Sequence, residues 1–187
     1  MILVTGSSGH LGEAIRRLAP DATVGPDMIA GQFTNHRIDI RDAAQVGDFL
    51  AQLKPRAIIH AATLHNPHVA THSRQDFVDT NVTGTLNLLE NAARHRVQAF
   101  VYTSTTSTFG RALSPPPGAP AVWITSDTVP VPKNIYGVTR AQSARTGSNS
   151  CENFRLSSRK GLQVVVVSRP KGLTPRSSKD SPTRWAI

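Results

Sequence analysis

Paired cysteines and long apolar runs are both missing from this 187-residue chain. Cys151 stands alone, so no internal disulfide framework exists, and a reducing compartment, the cytoplasm, is the expected setting. No apolar run reaches membrane-spanning length; Val164 to Val167 is only strand-sized. The apolar start at Met1 has no basic segment before it and runs into glycine at once, so a buried strand rather than a signal peptide is expected there. No internal repeat is present. Acidic residues are scarce only near the end. Residues 1–139 carry a balance of +1, whereas residues 140–187 carry +8. Those basic residues are scattered among serines and glycines, with Trp185 the one aromatic after Phe154, so a nucleic-acid surface is not expected.

What is present is an alternation of short apolar strands with amphipathic helices. Strands are expected at 2–4, 22–25, 37–40, 57–60, 98–103 and 163–168. Helices are expected after Gly9, with Leu11, Ala14, Ile15 and Leu18 on one face, and after Asp42, which can cap the turn. A long helix is expected from Phe77 to Arg94, with Val78, Val82, Leu86, Leu89 and Ala93 aligned, and another from Tyr136 to about Arg159. Gly147 to Ser150 are poor helix formers within the last of these. Six prolines between Ser114 and Pro132 make that stretch a loop. This order implies an α/β fold, a Rossmann-type doubly wound parallel sheet.

Gly6-x-x-Gly9-x-x-Gly12 follows the first strand and opens the first helix. Gly6 permits a tight turn, Gly9 lets the backbone approach a pyrophosphate, and Gly12 allows close helix packing. The first helical N–H groups then face the phosphates. Asp27, fifteen residues past Gly12, can accept from both hydroxyls of an adenine ribose and repels a 2'-phosphate, favouring NAD over NADP.

Together with Asp39-Ile40, His60-Ala61-Ala62, Asn81, the run Thr103 to Gly110, and Tyr136 followed four residues on by a basic residue, this spacing resembles the extended short-chain dehydrogenase/reductase family. Within it, the pattern is similar to the NAD-dependent epimerase/dehydratase branch over residues 1–173. The resemblance implies that Gly6, Gly9 and Gly12 hold the pyrophosphate of NAD, with His10 and Leu11 as backbone donors. It gives Asp27 the ribose and Asp39 and Ile40 the adenine. It places Ala61, Ala62 and Thr63 along the cofactor, Asn81 on the long helix, and Thr103 and Ser104 by the nicotinamide. Thr105 falls at the catalytic serine or threonine, Tyr136 at the general acid/base, and Arg140 at the family's lysine. A phenol is a poor base at neutral pH, and a fixed cation beside it brings its pKa toward the working range. Arginine keeps that charge but not the compact shape of lysine, so activity is expected to fall.

The resemblance also implies a nucleotide sugar or similar secondary alcohol as substrate, and a homodimer through the two long helices. Residues 1–173 are expected to form the NAD-binding domain and 174–187 an irregular basic tail. With the chain stopping at Ile187, the family's C-terminal substrate lobe is expected to be largely absent. Two readings stay open: an epimerase/dehydratase-like oxidoreductase, or a catalytically inactive NAD-binding protein or enzyme fragment. No metal is expected at His65, His68 and His72, because Pro67 interrupts them and no acid joins them before Asp76. Cys151 has no histidine beside it and reads as an inert thiol.

Overall fold

The computed structural model describes residues 1–125 and 127–150 and the strands 154–159 and 162–168; side chains are described up to residue 146. The tail expected over 174–187, and Cys151, lie outside the described residues.

The elements run β1 (Ile2–Thr5), α1 (His10–Leu18), β2 (Thr23–Val24), β3 (Pro26–Asp27), β4 (His36–Arg37), α2 (Ala43–Leu53) and β5 (Ala57–His60). They continue with α3 (Arg74–Phe77), a π-helical turn over Val78–Thr83, α4 (Gly84–Arg94), β6 (Ala99–Thr103), α5 (Ile135–Ser150), β7 (Phe154–Arg159) and β8 (Leu162–Ser168). The main sheet has the order β2-β1-β5-β6-β8-β7, and its first four strands are parallel, as the alternation predicts. The chain leaves β1 toward β2 and later returns to β5 on the other side. This reversal opens a crevice at the carboxyl ends of β1 and β5, where doubly wound folds bind ligands.

Several elements differ from expectation. The stretch expected as a strand at 37–40 joins the sheet nowhere. Only His36–Arg37 is extended, and it pairs with Pro26–Asp27 in a separate two-stranded ribbon. The strand expected at 163–168 is present but runs antiparallel to β6. The helix expected to reach Arg159 ends at Ser150, and Phe154–Arg159 is a strand antiparallel to β8. A short β7–β8 connection permits only this sense, because a parallel return needs a crossover of a dozen residues or so.

The core between sheet and helices gathers Leu3, Val46, Leu50, Ile58, Leu88 and Phe100. Asp42 caps α2 as expected, accepting from Ala44 N and Gln45 N at 3.0 Å each. Lys54 ends that helix in the left-handed region, just before Pro55. In α1 the buried face is not the expected one. Gly12 and Arg16 point inward, and Leu18 is 86% exposed. Arg16 is tolerated there because its guanidinium donates to the Thr23 carbonyl, Thr23 Oγ1 (2.8 Å) and Asn35 Oδ1 (2.7 Å). In the long helix Leu89 is buried as expected and Val78, Val82 and Leu86 are half-buried, but Phe77, Asn81, Thr85, Leu88 and Ala92 are buried as well, one position earlier, and Ala93 is exposed. The one-position offset is already present at Phe77, ahead of the π turn at Val78–Thr83.

Candidate cofactor cleft and catalytic corner

A cleft of about 470 Å³ opens at the crevice between β1 and β5. Its floor is the glycine turn. Gly6 has φ +73°, and a Cβ there would stand 2.6 Å from Ala62 N, so only glycine lets the two loops meet. Gly12 sits behind that turn, where a Cβ would lie 2.0 Å from the Gly6 carbonyl oxygen. Gly9 differs: a Cβ would meet only the Gly6 oxygen, at 3.4 Å, and its open side belongs to the cleft wall. No side chain caps α1, so the N–H groups at His10 and Leu11 lack intrahelical and side-chain partners.

Asp27 reaches the cleft from the end of β3. Its Oδ2 accepts from Ser8 N (2.9 Å) and Ser8 Oγ (2.6 Å), and its Oδ1 accepts from Ile29 N (3.0 Å). A carboxylate offers about four acceptor sites, so one remains for an outside donor, and a second opens if the Ser8 hydroxyl turns away. Ile40, Ala61, Ala62 and Thr63 also line the cleft. Asp39 does not. Its carboxylate turns to Arg41, 2.7 Å away, and that hydrogen bond holds it below the usual carboxylate range.

Asn81 is fully buried in the π turn and works as a brace. Its Oδ1 accepts from Leu64 N (2.8 Å) and Thr63 Oγ1 (2.9 Å). Its Nδ2 donates to the Leu64 carbonyl (2.9 Å) and Thr139 Oγ1 (3.1 Å). It thereby ties the cleft wall to α5.

The remaining expected residues gather one strand along, after β6. Thr103 is buried and donates to the His60 carbonyl at 3.0 Å. Ser104 is half-buried behind it. Thr105 Oγ1 accepts from Ser107 N (3.2 Å) and caps a short 3-10 turn, Thr106–Thr108. Against that turn packs the start of α5, where a Cβ on Gly137 would stand 2.4 Å from the Ser107 carbonyl oxygen. Tyr136, next to it, is half-buried. Thr105 and Tyr136 thus sit on abutting elements. Arg140 is 1% exposed, and its guanidinium carbon lies 4.2 Å from the centre of the Tyr102 ring. Its Nε and Nη1 are buried with no hydrogen-bond partner.

Sequence reasoning missed His60, which is fully buried between Thr5 and Thr85. Burial, reinforced by the Arg140 charge, pushes its pKa down to about 3. Its signal was a lone imidazole closing an apolar strand. His65, His68 and His72 do line the cleft mouth, with edge-on rings 4.5 and 5.1 Å apart. Among the described residues, no group of three or more His, Cys, Asp or Glu side chains could hold a metal ion. No described helix is long and apolar enough to cross a membrane.

A parallel sheet with a glycine turn at its switch point, an uncapped helix start and an acid at the next strand end define a dinucleotide-binding Rossmann unit. Residues 2–175 match the NAD dependent epimerase/dehydratase family, and the chain belongs to it. It is 31% identical over 149 residues to a UDP-glucose 4-epimerase from Rhizobium leguminosarum bv. trifolii, covering 74% of this chain and 43% of that one. A dTDP-glucose 4,6-dehydratase from Neisseria meningitidis serogroup B is 31% identical over 136 residues, covering 58% and 38%. In fold, the chain superposes on the UDP-glucose 4-epimerase of Thermus thermophilus, solved with NAD, with a TM-score of 0.66 at 22% identity, over 79% of this chain and 50% of that one. The chain therefore spans about half the length of the relatives it matches or less.

Proposed function

We propose that this chain is the NAD-binding part of an oxidoreductase that acts on a secondary alcohol of a nucleotide sugar, as an epimerase or dehydratase does. The observation that carries the reading is the convergence on one cleft of the open Gly9 face, the uncapped start of α1 and the Asp27 carboxylate. These groups fit NAD: a glycine wall for close backbone approach, free donors for a diphosphate, and a carboxylate for ribose hydroxyls. His10 and Leu11 would donate to the diphosphate, and Ala61, Ala62 and Thr63 would line the cofactor. Ile40 would contact the adenine, with Asp39 acting through Arg41. Asn81 would hold the 63–64 wall in place, while Thr103 and Ser104 would flank the nicotinamide. When bound, NAD supplies a hydride acceptor for the oxidised carbon.

The chain's own residues handle the proton. Thr105 presents a hydroxyl that can hold the substrate oxygen, and Tyr136 on the abutting helix can take the proton from it. Arg140, one helical turn after Tyr136, would stand where the family's lysine stands. A second reading has its own observation. The Arg140 guanidinium lies over Tyr102, which favours a catalytically silent NAD-binding protein. Incubating the full chain with NAD and a panel of UDP- and dTDP-sugars separates the two. The leading reading expects oxidised or epimerised sugar by NMR, lost in Tyr136→Phe and raised tenfold or more in Arg140→Lys. NAD binding without product in the wild type or Arg140→Lys establishes the silent binder. No NAD binding overturns both.

A further inference from the structure

Five groups, four of them buried and the fifth at the cleft wall, form a hydrogen-bond chain whose direction follows from counting protons. Thr85 Oγ1 lies 2.6 Å from the carbonyl oxygen of Asn81, which can only accept, so the Thr85 proton is spent there. Toward His60 Nε2, 2.9 Å away, Thr85 must therefore accept, and Nε2 carries hydrogen. An uncharged imidazole has one N–H, so Nδ1 accepts from Thr5 Oγ1 at 2.7 Å. Thr5 Oγ1 in turn accepts from Ala62 N at 3.3 Å. The chain thus runs from the Ala62 amide through Thr5, His60 and Thr85 to the Asn81 carbonyl, with every proton assigned. Ser143 Oγ of α5 lies 2.5 Å from that same carbonyl and 2.8 Å from the Thr139 carbonyl, the two sharing its one proton.

Both ends matter. Ala62 lies on the cleft wall. Ser143 and Thr139 share the helix face of Tyr136, being seven and three residues on. The π turn concentrates the connection, because the Asn81 carbonyl receives the Thr85 and Ser143 hydroxyls while its side chain grips Leu64 and Thr139.

We propose that His60 is a positioning residue that, as the neutral Nε2–H tautomer, couples the cofactor-facing loop at Ala62 to the helix carrying Tyr136. The proposal rests on the reading above, in which loop and helix serve one site. His60 touches neither cofactor nor substrate; it fixes the order in which its neighbours donate and accept. A network in which each donor is used once is cooperative, so a break in the middle is felt at both ends.

The test uses the full chain labelled with nitrogen-15. Wild-type His60 is expected to show the Nε2–H tautomer without titrating between pH 5 and 8. Thr85→Val keeps the shape but removes the hydroxyl, and should speed amide exchange at Ala62 tenfold or more, though Thr85 does not touch Ala62. The Leu50 amide in α2 should stay unchanged, and Thr85→Ser should restore the wild-type rate at Ala62. A purely structural role would instead speed Ala62 and Leu50 together. If Thr85→Val does not fold, Ser143→Ala, at the far end, should give the same selective loss. An Nδ1–H tautomer, a titrating His60, unchanged exchange at Ala62 or uniform acceleration overturns the proposal. NAD affinity of Thr85→Val should also fall several-fold. A wild-type chain that binds no NAD refutes the function proposed above, while the tautomer and exchange results still decide the coupling.

Discussion

Arg140→Met is expected to stabilise the protein while removing turnover. The wild-type guanidinium is 1% exposed, with Nε and Nη1 both lacking partners. Each unmade buried hydrogen bond costs about 1–3 kcal/mol, more for a charged group. The contact with the Tyr102 face, 4.2 Å away, returns about 2 kcal/mol when desolvated. The balance is a net cost of up to roughly 4 kcal/mol, in line with the gain of about 1–4 kcal/mol seen when buried ions give way to apolar side chains of similar volume. Methionine fills the same length, needs no partner and keeps a favourable sulfur–ring contact with Tyr102. Urea unfolding followed by far-UV circular dichroism should show a gain of about 1–3 kcal/mol with an unchanged slope, and Tm should rise by roughly 3–10 °C. A loss of about 1 kcal/mol or more would refute the reasoning, because it would mean that the guanidinium is well solvated or paired. A gain in stability with a loss of product is what a charge kept for chemistry predicts.

Three further outcomes follow from the cleft and the core. Asp27→Ala should weaken NAD binding and narrow the preference over NADP in titration calorimetry; NADP binding the wild type as tightly as NAD would sink the assignment. Gly9→Val should abolish NAD binding yet leave the circular dichroism spectrum of a folded α/β protein, since its Cβ meets only the Gly6 oxygen at 3.4 Å; Gly12→Val, 2.0 Å from that oxygen, should fail to fold. His60 is neutral in the folded state down to about pH 3 and protonates near 6.5 when unfolded, so the unfolded state binds more protons between those values. Stability should therefore fall as pH drops through about 6.5, at up to about 1.4 kcal/mol per unit, or about 2 kcal/mol between pH 7 and 5. His60→Gln should flatten that slope in denaturant titrations, and an unchanged slope would show that other groups cause it.

The glycine turn, the strands around β1, β5 and β6, and the cap of α2 were legible because each rests on local chemistry: a positive φ, a short apolar run, an acid before an apolar stripe. What failed to show was registered elsewhere in the chain. The long helix buries Asn81, Thr85, Asn87 and Asn91 beside Leu88 and Leu89, and a count of apolar spacing passes over polar side chains. Arg16 was invisible as an interior residue because its acceptors at Thr23 and Asn35 come from another segment. The run 163–168 announced a strand but not its direction, since parallel and antiparallel strands share a period of two. The candidate site divided in the same way. Backbone features of the cofactor cleft were readable, whereas the setting of Arg140 over Tyr102 depends on how two elements pack.

The placement of α5 shows why that second half resists reading. Its buried residues, as far as side chains are described, are Gly137, Thr139, Arg140 and Ser143, with Val138 exposed on the outside. A helix held by an apolar stripe can slide or rotate slightly at small cost, because the hydrophobic effect is non-directional. A helix held by hydroxyls cannot. Thr139 meets Asn81 Nδ2 at 3.1 Å, Ser143 meets the Asn81 carbonyl at 2.5 Å, and Gly137 lets the first turn rest on the Ser107 carbonyl. Directional bonds fix rotation about the helix axis, and that rotation sets where the Tyr136 phenol lies. The helix also continues to Ser150 through four poor helix formers, which cost a few kcal/mol in propensity. Its precision is therefore concentrated in the first two turns, where the chemistry would be. In a sequence this arrangement looks like a weak amphipathic pattern, though in the fold it is the more exact way to hold a catalytic side chain.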